Sequence, residues 1–257
     1  MNKDLSIKLY QSISEDNVER EMLRWHASSI AECPRSQYYQ RLGIKKIAEP
    51  ASAAMMLRWA AGHKLEEVIR PHIYKLYGIQ TTSNVRLESD TYDLTGEYDN
   101  YVFDVHKLVE IKSVSDRAFM QKDNEVYLKE ADGTVMRNGK EYVNYKPKED
   151  PYLHHQLQQH AYELLLKERG EAVEGIDYVY ISLGGRIVVY STKPDPKIRL
   201  QVVKRLQVLK EAWDKQEPPQ CLCKEDHVLW GSTMQYCGYR PKDGGECCSL
   251  DLIKVKE

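Results

Sequence analysis

The feature that most constrains this chain is a run in which charge and hydrocarbon alternate, Leu108-Val109-Glu110-Ile111-Lys112-Ser113. Successive side chains of a strand point to opposite faces, so Glu110 and Lys112 share one face while Val109 and Ile111 fill a core on the other. Upstream stands Gly96-Glu97-Tyr98-Asp99, which places Asp99 within reach of the same point. Two carboxylates suit a hard, oxygen-liking cation such as Mg²⁺ or Mn²⁺. Such a cation acidifies a bound water and neutralises charge building on a phosphate. Lys112 would orient that water and act as a point charge in the transition state. A bare Glu-x-Lys reads as an edge-strand salt bridge; the Gly-x-x-Asp and the apolar alternation move the reading towards catalysis.

The surrounding pattern predicts a mixed α/β fold. Residues from about Val18 to Gly43 read as helical, with a break near Cys33-Pro34. A long helix is predicted from about Ser52 to Tyr77, with Leu57, Ala61, Leu65, Val68 and Leu76 on one face. Gly78 stops it. Strands are predicted over Thr81–Leu87, Tyr92–Tyr98, Tyr101–Asp104 and Lys107–Val114, with turns at Asp99-Asn100 and Asp104-Val105-His106. A helical piece over Asp116–Lys122 and a polar hairpin insertion over about 123–150 follow. A helix then runs from Pro151 to about Arg169. Strands over Ile176–Leu183 and Arg186–Ser191 join across Gly184-Gly185, and a last helix runs from Pro196 to about Lys215. Pro218-Pro219 opens a cysteine-rich tail.

With 257 residues, 42% hydrophobic and 30% charged, the chain suits one large soluble domain. The single domain over 1–257 divides into a cysteine segment at 28–45, a core at 52–216 and a tail at 217–257. The formal charge of -2 offers no global basic field for nucleic acid. Bound divalent cations would supply positive charge where a phosphate is met. No signal peptide or membrane span is visible, so the expected location is cytoplasmic, or host cytoplasm for a viral protein. In that compartment the six cysteines favour metal ligation over disulfides.

On Gly96-Glu97-Tyr98-Asp99 and Glu110-Ile111-Lys112, the sequence resembles the PD-(D/E)XK nuclease superfamily in its RecB-like form. The resemblance implies a restriction-endonuclease-like mixed sheet flanked by helices. It implies that Asp99, Glu110 and the backbone carbonyl of Ile111 hold Mg²⁺ or Mn²⁺, and that Lys112 assists the water. The family also places a histidine on an upstream helix after a glycine, which Gly62-His63 matches, making His63 a candidate metal ligand. Downstream it places Gln-x-x-x-Tyr on a helix over the site, which Gln158 and Tyr162 match; Gln156 offers a competing register. These elements occur in the family's order along this chain.

Ile30-Ala31-Glu32-Cys33-Pro34-Arg35 looks like the N-terminal cysteine motif of iron–sulfur nucleases, including CRISPR-associated exonucleases. There, one early cysteine joins three late ones around a 4Fe–4S cluster. The late set here departs from the family spacing. Cys237 fits the middle position, Met234 stands where a cysteine is usual, and Cys223 (or Cys221) and Cys248 (or Cys247) complete the set. The same four sulfurs would also suit tetrahedral Zn²⁺. The implied activity is metal-dependent exonucleolytic hydrolysis of DNA, on single-stranded ends. A helicase, recombination or CRISPR-adaptation protein is a possible partner, since no phosphate-binding loop for unwinding is present. The alternative is a non-catalytic DNA-binding or assembly module stabilised by the cysteine-bound metal.

Overall fold

The computed structural model describes residues 22–44, 53–78, 81–114, 150–182 and 184–220, with Lys8, Ser12 and the backbone of three short strands within 128–142. The sheet begins with a two-residue strand, β1 (Trp25–His26). Then come helix α1 (Pro34–Arg41), helix α2 (Ala53–Tyr77) and strands β2 (Thr81–Ser89), β3 (Leu94–Val102) and β4 (Lys107–Val114). Strands β5 (Leu128–Lys129), β6 (Val135–Arg137) and β7 (Lys140–Tyr142) form a separate antiparallel sheet, with Arg137 paired to Lys140 as a hairpin insertion requires. Helix α3 (Leu153–Glu168), strands β8 (Gly175–Ser182) and β9 (Ile187–Thr192) and helix α4 (Pro196–Lys215) complete the core.

β3 is the organising strand. β2 runs antiparallel along one of its edges, from Thr81 opposite Val102 to Ser89 opposite Leu94. The other edge is shared. β1 lies parallel to it at Leu94 and Thr95, and β4 lies antiparallel to it only at Asn100, Tyr101 and Val102. Between those two pairings, residues 96–99 have no strand partner on that edge among the described residues. Beyond β4, β8 is parallel, with Lys112 opposite Tyr180, and β9 returns antiparallel.

The pleat divides the core as the alternation requires. Leu108 packs on the α3 side with Trp25, Leu87, Tyr162, Tyr178 and Tyr180. Val109 and Ile111 pack on the α2 side with Ile73, Val102, Val179 and Ile181. Every residue of α3 from Leu157 to Leu166 is buried, because the sheet covers one side of the helix and α4 contacts it on another. The buried stripe of α4, Ile198, Val202, Leu206, Leu209 and Ala212, repeats at helical spacing. Asp195 caps α4 by accepting the Lys197 N–H at 2.7 Å, and Pro196 occupies the first turn.

Three sequence expectations are corrected. Trp25 and His26 are strand rather than helix: the Trp25 N–H donates to Asp93 O at 3.0 Å, and the fully buried indole demands a core position. Asp99-Asn100 is not a turn, since β3 runs through it. Asn100 is buried and its Nδ2 donates to Val109 O, while the chain reverses later, where His106 adopts φ 48°. The apolar face read for α2 is also not the packed one. Leu57, Val68 and Leu76 are exposed, whereas Gly62, Ile73 and partly Leu65, Ile69 and Tyr77 meet the sheet. Gly78 does end α2, at φ 93°. The segment read as a helix over 116–122 lies outside the described residues.

Candidate active site

The site sits in the seam where β3 and β4 part. Just past the Asn100–Val109 pair, the Asp99 carboxylate accepts the backbone N–H of Ile111 at 2.8 Å. A side chain thus replaces the next rung of the ladder and holds the seam open. Glu110 follows on the α3 face, 1% exposed. It is ion-paired with Lys112 on one oxygen and receives Gln159 Nε2 on the other. Lys112 is 26% exposed, so its ammonium lies at the border between core and solvent.

Two glycines set the approach of the helices. A Cβ on Gly96 would lie 2.6 Å from Tyr162 Cε1 and 2.7 Å from Ala27 Cβ, so only glycine lets α3 place Tyr162 against the stretch of β3 that β4 does not pair. A Cβ on Gly62 would lie 2.4 Å from Ser113 Oγ, where α2 crosses β4. That crossing positions the next turn of α2, and Glu66 with it, beside the seam.

Each of the polar residues buried within α3 has a partner on at least one atom, although Gln159 Oε1 and Glu163 Oε2 have no hydrogen bond among the described residues. Gln158 Nε2 donates to the Tyr162 hydroxyl at 3.1 Å. Gln159, its neighbour, is the one that reaches Glu110. His160 and Glu163 face α4: His160 Nε2 accepts the Asp195 N–H at 2.8 Å, while Arg199 and Lys167 pair with Glu163 at 2.5 and 2.8 Å.

Charge in the seam is unbalanced. Burial, reinforced by the charge of Asp99, raises the Glu110 carboxyl well above the usual range, with Lys112 opposing. Glu66 is raised for the same two reasons, while Lys112 and His63 pull it down. Burial alone would lower Lys112, but Glu110 and Asp99 outweigh it and hold the ammonium protonated. Burial and Glu110 likewise raise the Tyr162 phenol, so it is a neutral hydrogen-bonding group. Asp99, Glu66 and Glu110 crowd one ammonium, so their carboxyls do not all ionise without a further positive charge; together they offer hard oxygen donors, which fits a divalent cation. Among the described residues, no three His, Cys, Asp or Glu side chains already converge as a finished metal cage.

The structure therefore brings together Asp99, Glu110, Ile111, Lys112 and Tyr162. Gln158 reaches the group through the Tyr162 hydroxyl. His63 is 76% exposed and faces Glu66, with 3.5 Å between Nδ1 and Oε2. Glu67 pairs with Lys64 instead. Glu66 and Gln159 are the members that sequence reading missed. Glu66 lies four residues after Gly62 on the same helix face, which was its one available signal. Cys33 stands at the N-cap of α1. Cys221, Cys223, Cys237, Cys247 and Cys248 lie outside the described residues.

A solved structure shares this architecture. The alkaline exonuclease LHK-Exo from Laribacter hongkongensis superposes with a TM-score of 0.50 at 13% identity, covering 80% of this chain and 93% of that one. Its complex with dAMP gives a TM-score of 0.48 at 16% identity, over 75% and 89% of the two chains. A phage-related exonuclease from Haemophilus somnus 129PT gives 0.49 at 14% identity, over 76% and 95%. No family model matches the chain, and no curated protein matches it in sequence. The likeness is one of fold: a restriction-endonuclease-like mixed sheet flanked by helices. No helix among the described residues is long and apolar enough to cross a membrane.

Proposed function

We propose that this chain is a metal-dependent DNA exonuclease acting on single-stranded ends. The observation that carries the reading is the seam itself, in which Asp99, Glu110 and Lys112 meet where the ladder between β3 and β4 stops. Asp99, Glu110 and the carbonyl of Ile111 would hold Mg²⁺ or Mn²⁺, with Glu66 and His63 bordering them. When bound, the cation supplies Lewis acidity to a phosphodiester and a water acidified for attack. Lys112, kept protonated, neutralises charge on the phosphate oxygens. Gln159 fixes the rotamer of Glu110, and Tyr162 offers its hydroxyl proton to a non-bridging oxygen while Gln158 orients it.

The cysteine clasp belongs to the same reading. Arg35 Nε donates to Pro219 O at 2.6 Å, joining residues 184 apart, and so ties the Cys33 segment to the beginning of the tail. Cys33 with Cys223, Cys237 and Cys248, or their alternates Cys221 and Cys247, would hold a 4Fe–4S cluster, or Zn²⁺ in its place. Its role would be to lock the two ends of the chain rather than to transfer electrons. Iron, sulfide and zinc analysis of the anaerobically purified wild type and Cys33→Ser decides the cluster. Full metal content in the variant would remove Cys33 from the set.

The deciding assay is Mg²⁺- and Mn²⁺-dependent degradation of end-labelled single- and double-stranded DNA by wild type and Lys112→Ala. Nucleotide release by the wild type alone supports the nuclease and gives its polarity. No release by wild type with either metal would leave the non-catalytic DNA-binding or assembly module as the better reading.

A further inference from the structure

The mouth of α3 carries an aromatic cluster that the core does not require. Tyr180 is fully buried on β8, directly opposite Lys112 on β4. Its hydroxyl receives the backbone N–H of Tyr152 at 3.1 Å and shares a hydrogen bond with His155 Nδ1 at 2.9 Å. Its ring meets those of Tyr152 and Tyr190 edge-on, at 5.7 and 5.9 Å. On this fixed post, Tyr152 and His154 stack with centroids 5.5 Å apart and planes 22° apart. His155 packs against His154 at 4.0 Å. Tyr152, His154 and His155 are half-buried, unlike the sealed Tyr180 beneath them.

Three features point to a ligand with a flat face. The near-parallel pair of Tyr152 and His154, carried on a segment whose Tyr152 backbone N–H and His155 ring are hydrogen-bonded to a buried post, forms a π surface with polar rims. The first turn of α3 carries no acidic residue, and the nearest carboxylate along the described chain is the exposed Asp150, two residues before Tyr152. Neighbouring strands lie about 4.8 Å apart, which sets the post one strand from Lys112 and the rings within a nucleotide's reach of it.

We propose that Tyr152, His154 and His155 form a stacking ledge for the nucleobase next to the scissile phosphate. The ledge rests on the nuclease reading and adds to it: the enzyme grips unpaired nucleotides by base stacking, without regard to sequence. A base paired in a duplex cannot present its face to the ledge until its end frays, so the ledge favours single-stranded ends.

The test is a coupling measurement. Wild type and Tyr152→Leu are assayed on single-stranded DNA carrying either a normal or an abasic terminal nucleotide. Stacking on an aromatic contributes about 1–3 kcal/mol per base, so each single change is expected to lower kcat/KM by roughly 5- to 150-fold. The two changes together should cost no more than one, because both remove the same contact. If the two losses multiply, or Tyr152→Leu equals wild type on normal DNA, the ledge is overturned. His154→Leu goes through the same comparison, so that a poorly folded Tyr152 variant does not decide the matter. A wild type that releases nothing from any substrate with Mg²⁺ or Mn²⁺ fails the nuclease reading itself, and the ledge falls with it. Loss of activity confined to the variants leaves the nuclease standing and is judged by the coupling alone.

Discussion

The carboxylate of Asp99 accepts the backbone N–H of Ile111 at 2.8 Å, across the point where β3 and β4 stop pairing. One side chain thus closes the ladder and opens the site. It satisfies a backbone donor the splayed strands would leave bare, and it sits beside the Ile111 carbonyl expected to face a cation. Asp99→Ala should therefore abolish metal-dependent nucleotide release and also destabilise the fold. A hydrogen bond to a charged group contributes about 1.5–3 kcal/mol. Urea denaturation beside the nuclease assay checks both losses. Wild-type stability in the variant would mean that the Ile111 N–H finds another partner.

Gly96 is the second fixed point of the seam. A methyl group there would meet both Tyr162 and Ala27 inside contact distance, so Gly96→Ala should cost about 1–3 kcal/mol through overpacking. The clash would also push α3 and its Gln159 away from Glu110, lowering activity. The double variant Gly96→Ala with Tyr162→Leu relieves the contact with the ring and should recover part of the stability, but not the activity. Unfolding midpoints of the singles and the double separate the two effects.

How much of this was legible in the sequence follows from how local each signal is. The alternation at 108–113 reports its own two faces, so the positions of Glu110, Lys112, Val109 and Ile111 were readable. Asp99-Asn100 read as a turn because those side chains usually bond to their own backbone. Here they bond across the seam to β4, which no local pattern reveals. The face of α2 was misread because the helix meets the sheet through a narrow line around Gly62 and Ile73, leaving Leu57 and Leu76 outside. Gln158 and Gln159 are equivalent by composition, and only the tilt of α3 gives the second one Glu110.

Glu110 should make the metal-free protein less stable as pH rises. Burial, and after it Asp99, pushes its carboxyl up to about 8. Above the ordinary carboxylate value, near 4.5, the folded chain keeps a proton that the unfolded chain has lost. Stability therefore falls as pH climbs from there through the folded value. Glu110→Gln mimics the protonated form, so its metal-free stability should change less over that window. Mn²⁺ should raise the unfolding midpoint of the wild type, more so at higher pH, and leave the variant's nearly unmoved. Calorimetry with and without Mn²⁺ across about pH 5–8 tests the sign. An equal Mn²⁺ shift in the variant would remove Glu110 from the ligand set.

His160 gives the opposite slope. Its Nδ1–H donates to Gln156 O at 2.7 Å, while Nε2 accepts the Asp195 N–H, so the imidazole is held neutral. Burial depresses its pKa below the ordinary value of 6.5, despite the opposing bond to Gln156. The unfolded chain then binds the proton first. The contribution is complete above the unfolded value and is lost as pH falls through the folded one. Wild type should lose more stability than His160→Gln on acidification below about pH 6.5, although the variant begins less stable. Parallel curves would show that another group carries the acid sensitivity.

Glu66 and Glu67 provide a contrast between adjacent residues. Glu66 faces the seam, where burial and Asp99 raise its carboxyl, whereas Glu67 pairs in solvent with Lys64. Removing Glu66 takes away a charge that Asp99 and Glu110 feel and an oxygen donor beside the expected cation. Glu66→Gln should lower kcat by about 100- to 1,000-fold, the range seen when one electrostatic group is removed from an active site, and raise the Mn²⁺ concentration needed for half-maximal activity. Glu67→Gln should leave both unchanged, because an exposed helix pair contributes little. Metal titrations of the two variants side by side check this. If Glu66→Gln keeps the metal dependence of the wild type, α2 shapes the site by packing at Gly62 alone.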